Sequence, residues 1–145
     1  ILAADGVDGA SLSKMKAALE AEGAQAKVIA PHGGVIKNAK GADIKVDMSF
    51  LTAASVLFDA VFVPGGEKSA AALINEPDAI HFINESYKHC KAIAAEGQGL
   101  DVLKASFVGA RLKSPGVITG EKALDKAFIK AIAQHRFWER EKVPA

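Results

Sequence analysis

The run Asp59-Ala60-Val61-Phe62-Val63-Pro64-Gly65-Gly66 constrains the fold more than any other stretch of the chain. Unbroken apolar residues at strand length describe a strand buried on both faces, since a strand with one wet face would alternate. Pro64 ends the run, and two glycines open a turn behind it. Strands of this kind sit in parallel sheets covered by helices. In open sheets of that type, ligands and reacting groups collect where the strands end. A second junction of the same form follows at Ile93-Ala94-Ala95-Glu96-Gly97-Gln98-Gly99.

The remaining sequence alternates short apolar runs with segments of helical period, the pattern of βαβ units. Ile1 to Ala4 reads as a strand. Leu12, Met15 and Leu19 share one face of a helix that Gly23 stops. Lys27 to Ala30 is a strand closed by Pro31-His32-Gly33-Gly34, and Val35 to Asp47 a small hairpin or edge excursion. A short helix spans Ser69 to Ile74. Asn75-Glu76-Pro77-Asp78 then opens a helix carrying an apolar stripe of Ile80, Ile83, Tyr87 and Cys90. Ala92 to Ala95 is a strand and Gln98 to Lys104 a helix. Phe107-Val108 and Gly116 to Thr119 read as late strands, and Leu124 to His135 as the last helix. The expected class is α/β: a flavodoxin-like three-layer αβα sandwich with a mostly parallel sheet, one domain over residues 1–145.

The chain has 145 residues, enough for one such core. Lys and Arg number 18 against 17 Asp and Glu, so no basic face is forced and nucleic acid is not an expected partner. A single cysteine excludes an internal disulfide and a multi-cysteine zinc site, which suits a reducing, cytoplasmic setting. No apolar run approaches the roughly 20 residues that span a bilayer, so no membrane partner is expected. Ile1-Leu2-Ala3-Ala4 has the look of the second half of a strand. The expectation is a segment excised from the C-terminus of a longer chain; the other reading is that earlier residues are missing from the sequence.

Asp59 to Gly66 resembles the D-x-V-x-V-P-G-G strand of the class I glutamine amidotransferase-like superfamily, in the branch of PfpI-type proteases. The helix ending at Cys90 and the strand Lys91-Ala92-Ile93-Ala94-Ala95 follow in that family's order. Active members of the branch end this strand in a nucleophile elbow, I-A-A-I-C-H-G. Aligned on it, Glu96 takes the isoleucine, Gly97 the cysteine, Gln98 the histidine and Gly99 the elbow glycine. The family's acidic partner would fall at Asp8. Gly97 has no side chain to attack with, and Gln98 does not accept a proton at neutral pH. A cysteine elbow needs both a thiolate and its activator.

A narrower resemblance fits these departures. The chain is similar throughout to the C-terminal domain of large-subunit monofunctional haem catalases, which keeps the fold without the elbow cysteine. Glu85-Ser86-Tyr87-Lys88-His89 and the tail Ala133 to Arg140, closing at Val143-Pro144-Ala145, carry it further. That resemblance implies a parent chain that converts hydrogen peroxide to water and dioxygen at a buried haem. It implies no haem in this segment: the tyrosine a catalase haem requires would have to be Tyr87, on a helix stripe. The implied partners are the rest of the catalase subunit and its homotetramer. Since the branch includes stress chaperones, unfolded client proteins join that list. The implied role is a non-catalytic accessory domain that stabilises its subunit, shields the approach to the haem or holds clients.

Each candidate residue has a plainer reading beside the chemical one. Cys90 serves a free-standing PfpI-like hydrolase or stress protein only if it is reachable and has a base such as His89; buried cysteine more often fills space. Asp8 and Glu96 could pair as carboxylates at the old site, or Asp8 could cap the first helix. Gly65 and Gly66 could offer backbone N–H groups to an anion in a vestigial pocket with Glu96, or only form a tight turn. Such a pocket would also suit a small-molecule sensor. His32, His81, His89 and His135 are too scattered for a ligand set. His135, Arg136, Trp138 and Arg140 make a basic, aromatic end, with Trp138 the expected interface anchor.

Overall fold

The computed structural model describes residues 1–120 and 122–142. The tail residues Val143, Pro144 and Ala145 lie outside that range. Five helices are described, α1 (Gly9–Ala21), α2 (Glu67–Ile74), α3 (Pro77–Lys88), α4 (Gly99–Ala105) and α5 (Leu124–Ala133). The strands are β1 (Ile29–Ala30), β2 (Gly34–Lys37), β3 (Asp43–Val46), β4 (Met48–Ser49), β5 (Ala60–Val63), β6 (Ala92–Ala95) and β7 (Val117–Thr119).

Three parallel strands, β5-β6-β7, form one half of the central layer, with Val61 opposite Ile93 and Ile93 opposite Val117. β1 and β4 pair in parallel as the other half. Residues 1–4 join the halves. Leu2 bridges to Ile29 in parallel, and its N–H donates to the carbonyl of Phe62 at 3.0 Å. The layer therefore runs β4, β1, residues 1–4, β5, β6, β7. Apart from the short edge strand β4, this is the 2-1-3-4-5 order of flavodoxin-like sheets. β2 and β3 form a separate antiparallel hairpin, as expected for Val35 to Asp47.

The side chains of β5 and β6 explain why the strands are apolar without a break. Val61, Val63, Ile93 and Ala95 point into the cluster beneath α2, α3 and α4, with Leu73, Phe82, Ile83 and Leu103. Phe62, Ala92 and Ala94 point the other way, against Leu124 and Phe128 of α5 and Met15 and Leu19 of α1. The small alanines of β6 let α5 lie close, and Phe62 meets Phe128 at 6.2 Å between ring centroids. Both faces of the sheet are thereby dry, which is the three-layer arrangement.

Two elements differ from the sequence reading. Phe107 and Val108 lie in a 3-10 turn (Phe107–Arg111) rather than a strand. Ser106 Oγ accepts the Val108 N–H and Asn84 Oδ1 accepts the Phe107 N–H, so side chains satisfy the backbone without a ladder partner. A two-residue apolar run carries too little periodicity to distinguish the two. The last helix ends at Ala133, two residues early, because His135 turns left-handed at φ 68°.

Candidate functional site

The C-terminal ends of β5 and β6 meet the start of α1 at one point. Gly66 stands at φ 118°, and a Cβ there would lie 2.6 Å from the Gly6 carbonyl oxygen and 2.7 Å from the Asp8 nitrogen. Only glycine fits. Gly99 is equally fixed, since its Cβ would collide with the Val63 carbonyl oxygen where α4 packs on the end of β5. Gly97 differs from both. It holds φ 54°, the left-handed region, yet a Cβ would meet only the Gly65 Cα at 3.5 Å. Its backbone bends sharply from strand to helix, with open space above the bend.

The residues singled out from the sequence converge here. A Cβ on Gly65 would sit 3.4 Å from Gln98 Oε1, 3.5 Å from the Glu96 carbonyl oxygen and 3.7 Å from Asp8 Cβ. Asp8 caps α1: its Oδ1 accepts the N–H groups of Ala10 at 3.0 Å and Ser11 at 3.2 Å. Its own N–H donates to the Gly65 carbonyl at 2.8 Å. The Gly66 N–H donates to Gln98 Oε1 at 3.0 Å, and the buried Gly65 N–H to Ser11 Oγ at 3.3 Å. Glu96 is half-buried, its backbone tied to Val63 and Gly99.

Chemically, the junction satisfies itself. Both glycine N–H groups that could polarise a bound oxygen already serve side chains of this chain. The bend carries no nucleophile, and a neutral carboxamide fills the adjoining position. Ser11 was not singled out from the sequence; its place three residues after Asp8, in a helix's first turn, was the available signal.

Cys90 lies elsewhere. It follows the C-terminus of α3, is 2% exposed, and adopts φ 63°, while its carbonyl accepts the Phe137 N–H at 2.7 Å. His89 is exposed and faces Glu85 at 3.4 Å; Glu85 also faces His81 at 3.8 Å. Among the described residues no group of three His, Cys, Asp or Glu could hold a metal ion. No described helix is long and apolar enough to cross a membrane.

Within the domain the tail packs by Phe137 and Arg140 rather than by Trp138. Trp138 is 61% exposed, whereas Phe137 and Arg140 are buried. Trp138 lost the inward position because Phe137 takes it, against the ring space beside Gly116. Arg140 Nε donates to the Pro115 carbonyl at 2.8 Å, and Nη1 to the carbonyls of Lys91 at 2.7 Å and Tyr87 at 3.3 Å. Its guanidinium lies 4.6 Å over the Tyr87 ring, while Nη2 is buried without a hydrogen-bond partner. Burial pulls this group below its ordinary pKa, opposed by Tyr87, Cys90 and Glu139. Lys91 is likewise buried, donating to the Ser55 carbonyl at 2.6 Å, and its pKa is lowered by burial and then by Arg136.

Tyr87, the single tyrosine of the chain, is packed inside the domain. The Tyr87 hydroxyl bonds Ser114 Oγ at 2.8 Å, one ring face lies under Arg140, and its ring meets Phe107 edge-on at 5.3 Å. Tyr87 is 4% exposed, with its hydroxyl and one ring face already engaged inside the domain.

The profile of the C-terminal domain found in long catalases matches residues 1–142. Catalase HPII of Mycobacterium avium is 39% identical over 100% of the chain, which spans 23% of that relative. Catalase HPII of Pseudomonas aeruginosa is 38% identical over 97% of the chain, again spanning only 20% of the relative. The chain thus covers about a fifth of the length of these curated relatives. In structure it is similar to Schizosaccharomyces pombe DJ-1, with a TM-score of 0.68 at 16% identity, covering 99% of this chain and 90% of that one. A two-domain protein of Anabaena variabilis with DJ-1/ThiJ/PfpI-like and ferritin-like domains gives a TM-score of 0.75 at 18% identity, over 91% of this chain and 47% of that one. At such identities the likeness is one of fold.

Proposed function

Because the chain belongs to the family of C-terminal domains found in long catalases, we propose that it is a non-catalytic accessory domain of a longer haem catalase. The parent's reaction on this reading is the conversion of hydrogen peroxide to water and dioxygen, at a haem held by other parts of the subunit. The domain, residues 1–145, stabilises the subunit and its homotetramer in the cytoplasm.

One observation carries the assignment of inertness. Gly97 stands at the bend where a nucleophile would have to be, and the neighbouring Gln98 carboxamide occupies the Gly66 N–H. Catalysis by a cysteine elbow needs a thiolate and donors aimed at the developing oxyanion. Neither is available, so Asp8, Gly97 and Gln98 are vestigial site positions, and Gly65, Gly66 and Glu96 a vestigial pocket. Cys90 offers no substitute, being buried at the far end of α3.

The test compares the full-length catalase with a form ending before this domain. The truncated form is expected to keep its per-haem peroxide turnover while losing heat tolerance and tetramer at lower temperature. Equal thermal inactivation of both forms would overturn the stabilising role. A holding activity toward unfolded clients is the further part of the proposal. It is measured by light scattering of a heat-denaturing reporter with the full-length and truncated forms, and only the full-length form is expected to suppress aggregation.

A further inference from the structure

Between β1 and β5 the chain crosses the face of the sheet that α2, α3 and α4 cover. Parallel strands are usually joined across such a face by an α-helix. Here the connection carries the hairpin, β4 and a 3-10 turn (Ser55–Leu57), and no α-helix. Phe50, Ala53 and Phe58 bring it onto the same apolar cluster as Phe82 and Ile83 of α3. The helix layer thus stops at α3, whose outer flank meets only a loop.

A groove of about 320 Å³ lies along that seam. Buried Phe50 and Phe82 form its base, and Val56, 78% exposed, stands on its rim. The α3 side of the lining runs from Asp78 to His89, about 16 Å at 1.5 Å per residue. The loop side is anchored. The Lys91 ammonium donates to the Ser55 carbonyl at 2.6 Å, and the Phe58 ring packs on Phe82 at 5.9 Å between centroids. Charge in the lining has one sign. Asp78 and Glu85 belong to it, with His81 and His89 beside Glu85 at 3.8 and 3.4 Å, and no Lys or Arg does. With neutral imidazoles the groove therefore carries two negative charges. On α3 they stand two turns apart, about 10 Å.

We propose that this seam seats an amphipathic helix of another polypeptide, which presents an apolar residue to Val56 and Phe82 between two Lys or Arg placed seven positions apart. The sign of the occupant's charge follows from the lining, and its spacing from Asp78 and Glu85. A helix laid beside α3 extends the layer at ordinary packing distance, about 8–10 Å between axes. An apolar helix face held in a groove is also a recurring mode of recognition. A second copy of this chain does not supply the pattern, since none of the described helices carries two Lys or Arg seven positions apart. The seam shares no residue with the vestigial site, and its assignment stands apart from the catalase reading.

The experiment uses the full-length protein and fluorescein-labelled peptides, read by fluorescence anisotropy at low ionic strength, where surface charges are least screened. One peptide is an amphipathic Leu/Ala helix with two lysines seven positions apart. A second has glutamates in their place, and a third keeps the lysines around a central proline that breaks the helix. The lysine helix is expected to bind at least tenfold more tightly than either control. Asp78→Asn combined with Glu85→Gln is expected to weaken it about tenfold, the scale of two solvent-exposed ion pairs. Val56→Ser, at a position too exposed to matter for folding, is expected to weaken it about fivefold. Equal binding of the lysine and glutamate helices overturns the proposal, as does affinity unchanged by the Asp78 and Glu85 substitutions, or no binding at all. Equal binding of the proline peptide overturns it too, because the occupant would then be extended. The truncated form without this domain is expected to bind none of the peptides; equal binding there places the site elsewhere and refutes the assignment. Peroxide turnover is no part of this readout, so a protein without it would sink the catalase reading and leave the peptide result standing.

Discussion

Replacing Arg140 with methionine tests whether the tail is fastened by the buried guanidinium. The side chain serves three carbonyls, those of Pro115, Lys91 and Tyr87, and stacks over the Tyr87 ring. A hydrogen bond from a charged donor contributes about 1.5–3 kcal/mol, and a carbonyl left buried without a partner costs about 1–3 kcal/mol. The stacking adds about 1–2 kcal/mol where water is excluded. Against these stands the desolvation of a buried cation whose Nη2 has no partner, a penalty of several kcal/mol that methionine removes. Two well-placed bonds at 2.7 and 2.8 Å and one weaker at 3.3 Å leave a net loss of about 3 kcal/mol. With a urea slope of about 2 kcal/mol per molar, the unfolding midpoint falls by about 1.5 M. Trp138, the single tryptophan, lies two residues from the substitution and reports the transition by fluorescence. Arg140→Lys is expected to fall between, because one ammonium cannot reach three carbonyls. If Arg140→Met unfolds at the parent midpoint, desolvation cancels the bonds, and the idea that this residue fastens the tail is wrong.

Gly66 and Gly97 should differ in how much a side chain costs. Gly66→Ala forces a Cβ against the backbone of Gly6, Val7 and Asp8 and is expected to cost more than about 3 kcal/mol in thermal or urea unfolding. Gly97→Ala meets open space and should cost only about 1 kcal/mol for its left-handed φ. Cys90, at 2% exposure, is expected to resist iodoacetamide until urea unfolds the chain; rapid stoichiometric labelling of the native protein would reopen the hydrolase reading. For Lys91 the lowered pKa means that the unfolded chain binds more protons in the window just below 10.5. Stability relative to Lys91→Met therefore rises with pH through that window, and urea midpoints of the two proteins from neutral pH to about 10 check the sign. A constant difference would mean that Lys91 keeps its ordinary affinity for protons.

Much of the fold was legible because β5 and β6 obey one strong rule. Continuous apolar runs ending in glycine can be satisfied only between two layers of helix. Their ends and the Asp8 cap fixed where a site would lie, and Asp8, Gly65, Glu96 and Gln98 do meet there. What stayed hidden depends on distance along the chain. Nothing near Gln98 in sequence says that its carboxamide bonds the Gly66 N–H, 32 residues earlier. Ser11 reaching Gly65, 54 residues on, is hidden for the same reason. Which residue of the tail turns inward is hidden for a related cause. Trp138 and Phe137 are equally apolar on paper, and only the space beside Gly116 decides which turns inward. Phe107 and Val108 failed as a strand because Ser106 and Asn84 give their N–H groups side-chain acceptors.

The bend at Gly97 has a consequence for how such a domain loses its chemistry. Glycine holds φ 54° almost without strain, and nothing but the Gly65 Cα stands in the space where a side chain would go. Erasing a reactive group there relieves strain instead of adding it, and it leaves no hole in the core. On the proposed reading, activity and architecture are thus uncoupled at this position. The scaffold then needs no change of shape to do without a side chain there, and its fold stays similar to that of Schizosaccharomyces pombe DJ-1.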